Sequence, residues 1–171
     1  MCWLNKIILS FVSALVILFS TSVASFAKVV GDKIILGAAI SLTGKYSSNG
    51  VHTQNGYNMA VDRINSMGGV KVGGKTYKFD IIYYDDESNP KRAAQLAERL
   101  ISQDGVEFML GPYSSGLTKA MAPVTEKYGV PMVEANGASR SLFTKGYKYL
   151  ILLITKGYFW TFCCYFFWKN V

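Results

Sequence analysis

Between residues 33 and 134, short apolar runs alternate with amphipathic segments, and each change of period is marked by a glycine, serine or proline turn. Residues 33–40, KIILGAAI, form a continuous apolar run of the kind that serves as a parallel strand covered on both faces. The run ends in Ser41-Leu42-Thr43-Gly44 and passes through Ser47, Ser48 and Asn49 into a predicted helix over residues 50–67. There Tyr57, Ala60, Val61, Ile64 and Met67 recur at helical spacing, and Gly68-Gly69 supplies the stop. A Gly73-Gly74 turn leads to a strand at 76–84 with Tyr77, Phe79, Ile81 and Tyr83 on one face.

Asp85-Asp86-Glu87-Ser88-Asn89-Pro90 opens the next helix. Asn89 is the predicted N-cap and Pro90 the first helical residue, where a missing N–H costs nothing. This helix runs to about residue 103 with Ala93, Leu96, Ala97, Leu100 and Ile101 inward. A strand at 106–110, a helix at 115–127 with Leu117, Ala120, Met121 and Val124 inward, and a strand at 130–134 follow. Alternation of this kind requires right-handed crossovers, so the fold class is α/β, a parallel sheet with helices on both faces. Ligands of such sheets bind beyond the carboxyl ends of the strands. Three strand-end loops converge there, at residues 41–44, 111–115 and 134–139.

The central one, FMLGPYSSG at 108–116, runs a strand through Gly-Pro into two serines at a helix start. Backbone N–H groups at such a start lack intrahelical acceptors and favour an anion, and serine adds a hydroxyl. An ordinary helix cap explains the serines equally well. What favours a ligand loop is VEANGAS at 133–139, a second strand end of similar chemistry.

Other chemistries find little support. The formal net charge is +7, and the basic residues are scattered without runs or aromatic interleaving, which argues against a nucleic-acid partner. Asp85-Asp86-Glu87 could serve a hard cation, but the trio sits directly before a helix, where negative side chains favour the dipole. His52 stands alone as a surface helix residue, without a metal or catalytic companion. Ser114 and Ser115 lack the GxSxG elbow, and neither GxGxxG nor GxxxxGK[ST] occurs, so no enzyme activity and no cofactor are expected.

The two ends differ from the middle. Lys6 precedes a mostly apolar run at 7–19, and small residues lead to Ser25-Phe26-Ala27, so residues 1–27 read as a signal peptide cleaved before Lys28. The run is short for a membrane span. Cysteines fall at 2, 163 and 164, which leaves residues 28–162 to fold without disulfides although export would permit them. Beyond Tyr149 the texture changes to an aromatic-rich apolar stretch without turns or amphipathic period. Residues 150–171 read as an aberrant hydrophobic tail of an out-of-frame terminus, with a membrane tail, interrupted by Lys156 and Gly157, as the rival.

Taken together, IILGAAISLTGKYSSNG, GYNMAVDRINSMGGV, YYDDESNPKRAAQLAERLI, GPYSSGLTKAMAPVTEKYGVPMV and EANGAS resemble the Leu/Ile/Val- and amide-binding proteins of ABC importers, with the type I periplasmic fold, over residues 33–149. The resemblance implies a first lobe, residues 28–149, that binds the head group of an amino acid or small amide in the periplasm and passes it to a membrane permease. It implies that the turn of Tyr113, Ser114 and Ser115 offers a backbone carbonyl to the ammonium and a hydroxyl plus amides to the carboxylate, and that Asn136, Gly137 and Ala138 form a second clamp. Ala138, followed by Ser139, stands where the Leu/Ile/Val binders carry a threonine, and Asn49 falls near a ligand-covering tyrosine, so the side-chain specificity is expected to differ. The family's second lobe is missing, which implies a truncated lobe with an uncovered sheet edge and helix faces. A receptor's sensing domain anchored by the apolar tail is the alternative, and an α/β enzyme a more remote one.

Overall fold

The computed structural model describes residues 29–153. The expected leader, Cys163-Cys164 and residues 154–171 of the apolar stretch lie outside them. Seven strands form the sheet: β1 (Val29–Val30), β2 (Lys33–Ile40), β3 (Val70–Val72), β4 (Lys75–Asp85), β5 (Met109–Leu110), β6 (Met132–Glu134) and β7 (Leu150–Leu152). Their order is β3-β4-β2-β5-β6-β7, with β1 paired to β2. β4, β2, β5, β6 and β7 run parallel, whereas β1 and β3 are short antiparallel additions made by tight turns.

Three helices cross over this sheet and a single turn follows them: α1 (Ser47–Ser66), α2 (Pro90–Ser102), α3 (Ser115–Tyr128) and α4 (Arg140–Phe143). The step from β2 to β4 runs one way along the sheet, and the steps from β4 to β5 and from β5 to β6 run the other way. Right-handed crossovers therefore place α1 on one face and α2 with α3 on the other. The direction changes between β2 and β5, and the crevice above their carboxyl ends is the switch point.

The densest packing lies under α2 and α3. Ile35 and Ala39 of β2 meet Ala93, Leu96, Ala97 and Leu100 of α2, Leu117, Met121 and Ala122 of α3, and Met109 and Met132 of β5 and β6. Each fully buried side chain of leucine or methionine size adds about 1.5–3 kcal/mol. α2 begins as its sequence requires, with the Asn89 side chain accepting from the N–H groups of Lys91 and Arg92. α3 ends at Gly129 in the left-handed conformation that glycine adopts without a Cβ penalty.

Several boundaries differ from the sequence reading. The strands expected at 106–110 and 130–134 keep only their last residues as ladder. Val106 instead returns its N–H to the Leu100 carbonyl and Val130 to the Thr125 carbonyl, each closing the preceding helix. α1 starts at Ser47, three residues before the expected position, and Ala60 and Met67 of its predicted inner stripe are exposed. The sheet also does not stop at Tyr149. Leu150–Leu152 pair with Met132–Glu134 as a further parallel strand, because Leu150 alternates inward against the core while Met132 N–H reaches the Tyr149 carbonyl. Local texture hid this strand, since three residues carry no period of their own.

Candidate functional site

A cavity of about 410 Å³ opens at the switch point. Its walls come from the first turns of α1 (Asn49, His52, Thr53, Gly56, Tyr57), from the β5–α3 loop (Tyr113) and from the β6–α4 loop (Ala135, Asn136). α1 comes this close because of Gly50, where a Cβ would collide with the Ser41 carbonyl at the end of β2. The helix backbone thus rests directly on the strand end.

Of the eight residues singled out from sequence, Asn49, Tyr113 and Asn136 line the cavity. The other five do not belong to its wall. Ser114 caps α3, its Oγ accepting from Leu117 N–H at 3.4 Å. Its backbone sits at φ 87° and ψ 140°, a conformation that costs a non-glycine residue on the order of 1–3 kcal/mol and concentrates at functional loops. Ser115 Oγ accepts from Ser139 N–H at 2.9 Å, which ties the two strand-end loops together. Ser139 Oγ lies 3.0 Å from Ser141 Oγ. Gly137 is buried and Ala138 exposed.

His52, Thr53, Gly56 and Tyr57 were not anticipated at the site. Counted from Asn49 they recur at three, four, seven and eight, one face of a helix. Starting the helix at 50 left Asn49 in a loop and hid that register, and Tyr57 passed for a core residue. Tyr57 instead donates its hydroxyl to the Gly111 carbonyl at 2.7 Å, and burial pushes its acidity well below that of an ordinary tyrosine. Tyr113 stacks edge-on against Tyr46, with ring centres 5.6 Å apart.

Two carboxylates knit the β2–α1 loop to the β4–α2 loop. Asp85 accepts from the N–H groups of Leu42, Thr43 and Glu87 and from Thr43 Oγ1. Burial pushes its carboxyl up, but these hydrogen bonds outweigh burial and hold it below the usual carboxylate range. Asp86 accepts from Ser41 Oγ at 2.6 Å and Ser88 N–H at 2.8 Å, and burial holds its carboxyl above that range. These two residues brace loops; α2 has no acidic residue in its first turn. Among the described residues, no group of three or more His, Cys, Asp or Glu side chains could hold a metal ion.

A third carboxylate lies under the other two loops. Glu134, fully buried at the end of β6, accepts from the N–H groups of Asn136 and Gly137 and lies 2.6 Å from Thr118 Oγ1 on α3. Gly111 is required opposite it, because a Cβ there would collide with the carboxyl. Burial raises the pKa of Glu134 above the usual carboxylate range despite those donors.

The family model described as periplasmic binding protein matches residues 33–158. The Leu/Ile/Val-binding protein BraC3 of Rhizobium johnstonii is 33% identical over 131 residues, covering 75% of this chain and 34% of that protein. The structure of the branched-chain amino acid transporter substrate-binding protein LivJ of Streptococcus pneumoniae, in complex with isoleucine, aligns with a TM-score of 0.63 and 32% identity, covering 70% of this chain and 33% of that one. A solute-binding protein of an R. palustris ABC transporter in complex with 4-hydroxybenzoate aligns with a TM-score of 0.58 and 32% identity, over 71% and 31% of the two chains. The chain spans about a third of the length of the curated relatives it matches.

Proposed function

The chain belongs to the periplasmic binding protein family, and from that premise we propose that it derives from the extracytoplasmic solute-binding component of an ABC importer and supplies the lobe that grips the head group of an amino acid. The family consists of solute binders, which places its members outside the cytoplasm. The leader at 1–27 exports this chain to the periplasm, and a membrane permease receives the solute.

The observation that carries the reading is the cavity at the switch point, where Asn49, Tyr113 and Asn136 meet from three separate strand ends. The hydrogen-bond directions suit a zwitterion. Ser115 Oγ accepts the Ser139 N–H, which leaves its own proton for a ligand carboxylate beside the first-turn N–H groups of α3. Tyr57 donates to Gly111, which leaves its phenol oxygen to accept from an ammonium. Tyr113 presents its carbonyl to the same ammonium, and residues 136–138 close from the other side. Each charge-assisted hydrogen bond contributes about 1.5–3 kcal/mol.

An aromatic carboxylic acid is the second reading, favoured by His52, Tyr57 and Tyr113 in one cavity wall and by the 4-hydroxybenzoate complex of a similar protein. A melting-temperature screen of the full chain separates the two, since a ligand that binds the folded form raises the transition by mass action. L-leucine, L-isoleucine, small amides and 4-hydroxybenzoate are the probes. A rise with the amino acids that Ser115→Ala abolishes supports the first reading; a rise with 4-hydroxybenzoate alone transfers it to the second. No rise with any probe overturns both.

A further inference from the structure

The Glu134 contacts contain a proton-counting problem. Thr118 Oγ1 lies 2.6 Å from Glu134 Oε2 and 2.8 Å from the Ser114 carbonyl. A hydroxyl has one proton, so it donates to one of these and needs a donor at the other. With Glu134 ionised, both neighbours are acceptors and one short contact opposes two lone pairs. With Glu134 protonated on Oε2 every group is satisfied: the acid donates to Thr118 Oγ1, Thr118 donates to the Ser114 carbonyl, and Oε1 accepts the Asn136 and Gly137 N–H groups.

We infer that Glu134 is a neutral carboxylic acid that acts as a positioning residue. Its relay through Thr118 to the Ser114 carbonyl holds the β5–α3 and β6–α4 loops in one geometry. The relay reaches the residue whose backbone is strained, and it bears on the Asn136 loop at the same time. Relevance to ligand rests on the reading proposed above; the relay itself exists without ligand.

The surroundings agree with a neutral acid. Glu134 and Thr118 are both fully buried. α1 sets the Tyr57 hydroxyl, itself directed to Gly111, as the titratable group that feels the Glu134 charge. β5 presents Gly111, β7 pairs Leu152 with Glu134, and α4 brings Leu142 against Gly137. Burial is the dominant influence on its carboxyl, and the hydrogen bonds that favour the charged form do not overcome it.

The sign of the pH effect follows. A carboxyl whose folded pKa is raised contributes stability that is complete below its unfolded pKa and is lost as pH rises through the folded one. Above that value the relay loses its proton, the Ser114 carbonyl contact becomes repulsive or opens, and the two loops separate.

The test uses the full chain, without ligand, labelled at the glutamate side-chain carboxyl and at the serine carbonyl with carbon-13. The Glu134 signal is identified through its sequential neighbours and by its loss in Glu134→Gln. On raising the pH from about 4, the Glu134 signal should remain in the acid position after that of the exposed Glu98, whose carboxyl the Tyr128 and Lys127 hydrogen bonds hold low, has moved. The Ser114 carbonyl signal should then move with the Glu134 midpoint. Glu134→Gln, whose amide donates permanently to Thr118, should remove that Ser114 step and flatten the fall of melting temperature with pH. Thr118→Ser, which preserves the hydroxyl, should retain the wild-type midpoint. Titration of Glu134 together with Glu98 overturns the neutral acid, and a Ser114 signal indifferent to Glu134 overturns the relay. Failure of every ligand probe overturns the binding reading alone and leaves the relay to this titration.

Discussion

At Asp86 a single oxygen does all the bonding. Oδ1 takes both the Ser41 hydroxyl and the Ser88 N–H, while Oδ2 is buried without a hydrogen bond from the described residues. A carboxylate in that position is penalised by desolvation, which holds its carboxyl above the usual range, with the Asp85 and Glu87 charges adding to the effect. The stability linked to this group is therefore complete below the unfolded value of about 3.8 and declines as pH rises through the folded one. Asp86→Asn keeps the accepting oxygen and removes the charge. Its melting temperature should exceed that of the wild type by a few degrees at neutral pH, and the advantage should vanish in acid. An equal or lower value at neutral pH would mean that the negative charge itself braces the loops. The sequence shows three acidic residues before a helix, and residue type alone favours a dipole role. What decides otherwise is the pair of successive left-handed residues Glu87 (φ 55°) and Ser88 (φ 59°), which fold the loop back so that Asp85 and Asp86 bond the N–H groups two residues on.

The elements themselves were legible wherever a period extends over two turns or a strand is apolar throughout. β2 and α2 fall where their patterns place them, and Asn89-Pro90 marks the start of α2 because cap chemistry is local. The candidate site was legible in part. Tyr113 and Asn136 could be named because loops at the carboxyl ends of strands converge in any such sheet, and Asn49 only through the family resemblance. His52, Thr53 and Tyr57 required the register of α1, which a three-residue error at its start destroys. β7 was not legible at all. Its partner is β6, eighteen residues upstream, and a strand of three residues is specified by that partner rather than by itself. Its contribution can be measured. Met132 N–H bonds the Tyr149 carbonyl, Leu153 N–H bonds the Glu134 carbonyl, and Leu150 packs on the core. Leu150→Asp should place a charge on that core surface and destabilise the chain by about 1–3 kcal/mol in urea unfolding, whereas Ile151→Thr, on an exposed position of the same strand, should cost less than about 1 kcal/mol. Equal effects would show that β7 is not docked.

At the scale of the whole sheet, the two faces are unequally covered by the described residues. Among these, α2 and α3 close one face over a continuous core, but α1 alone covers the other, and it lies along β4 and β2. Pairing registers carry a row of side chains across that second face from Tyr83 through Ala38, Leu110 and Val133 to Ile151. Beyond Ala38 the row leaves the shelter of α1. Leu110 and Val133 are half-buried, Ile151 is 47% exposed, and Phe108, two residues before Leu110 on the same side, is 42% exposed. Contiguous apolar surface of this kind binds apolar molecules nonspecifically. None of Phe108, Leu110, Val133 and Ile151 lines the cavity, so ligand recognition and surface stickiness can be separated by mutation. Phe108→Ser combined with Ile151→Thr leaves every ladder hydrogen bond in place, because Phe108 contributes its carbonyl, not its side chain, to the bond with Gly37. The fluorescence of an anilinonaphthalene sulfonate probe bound to the native chain should fall by about half or more in this variant, with the unfolding midpoint changed by no more than about 1 kcal/mol. Unchanged fluorescence would place the sticky surface elsewhere, and a collapse in stability would show that α1 already seals this face.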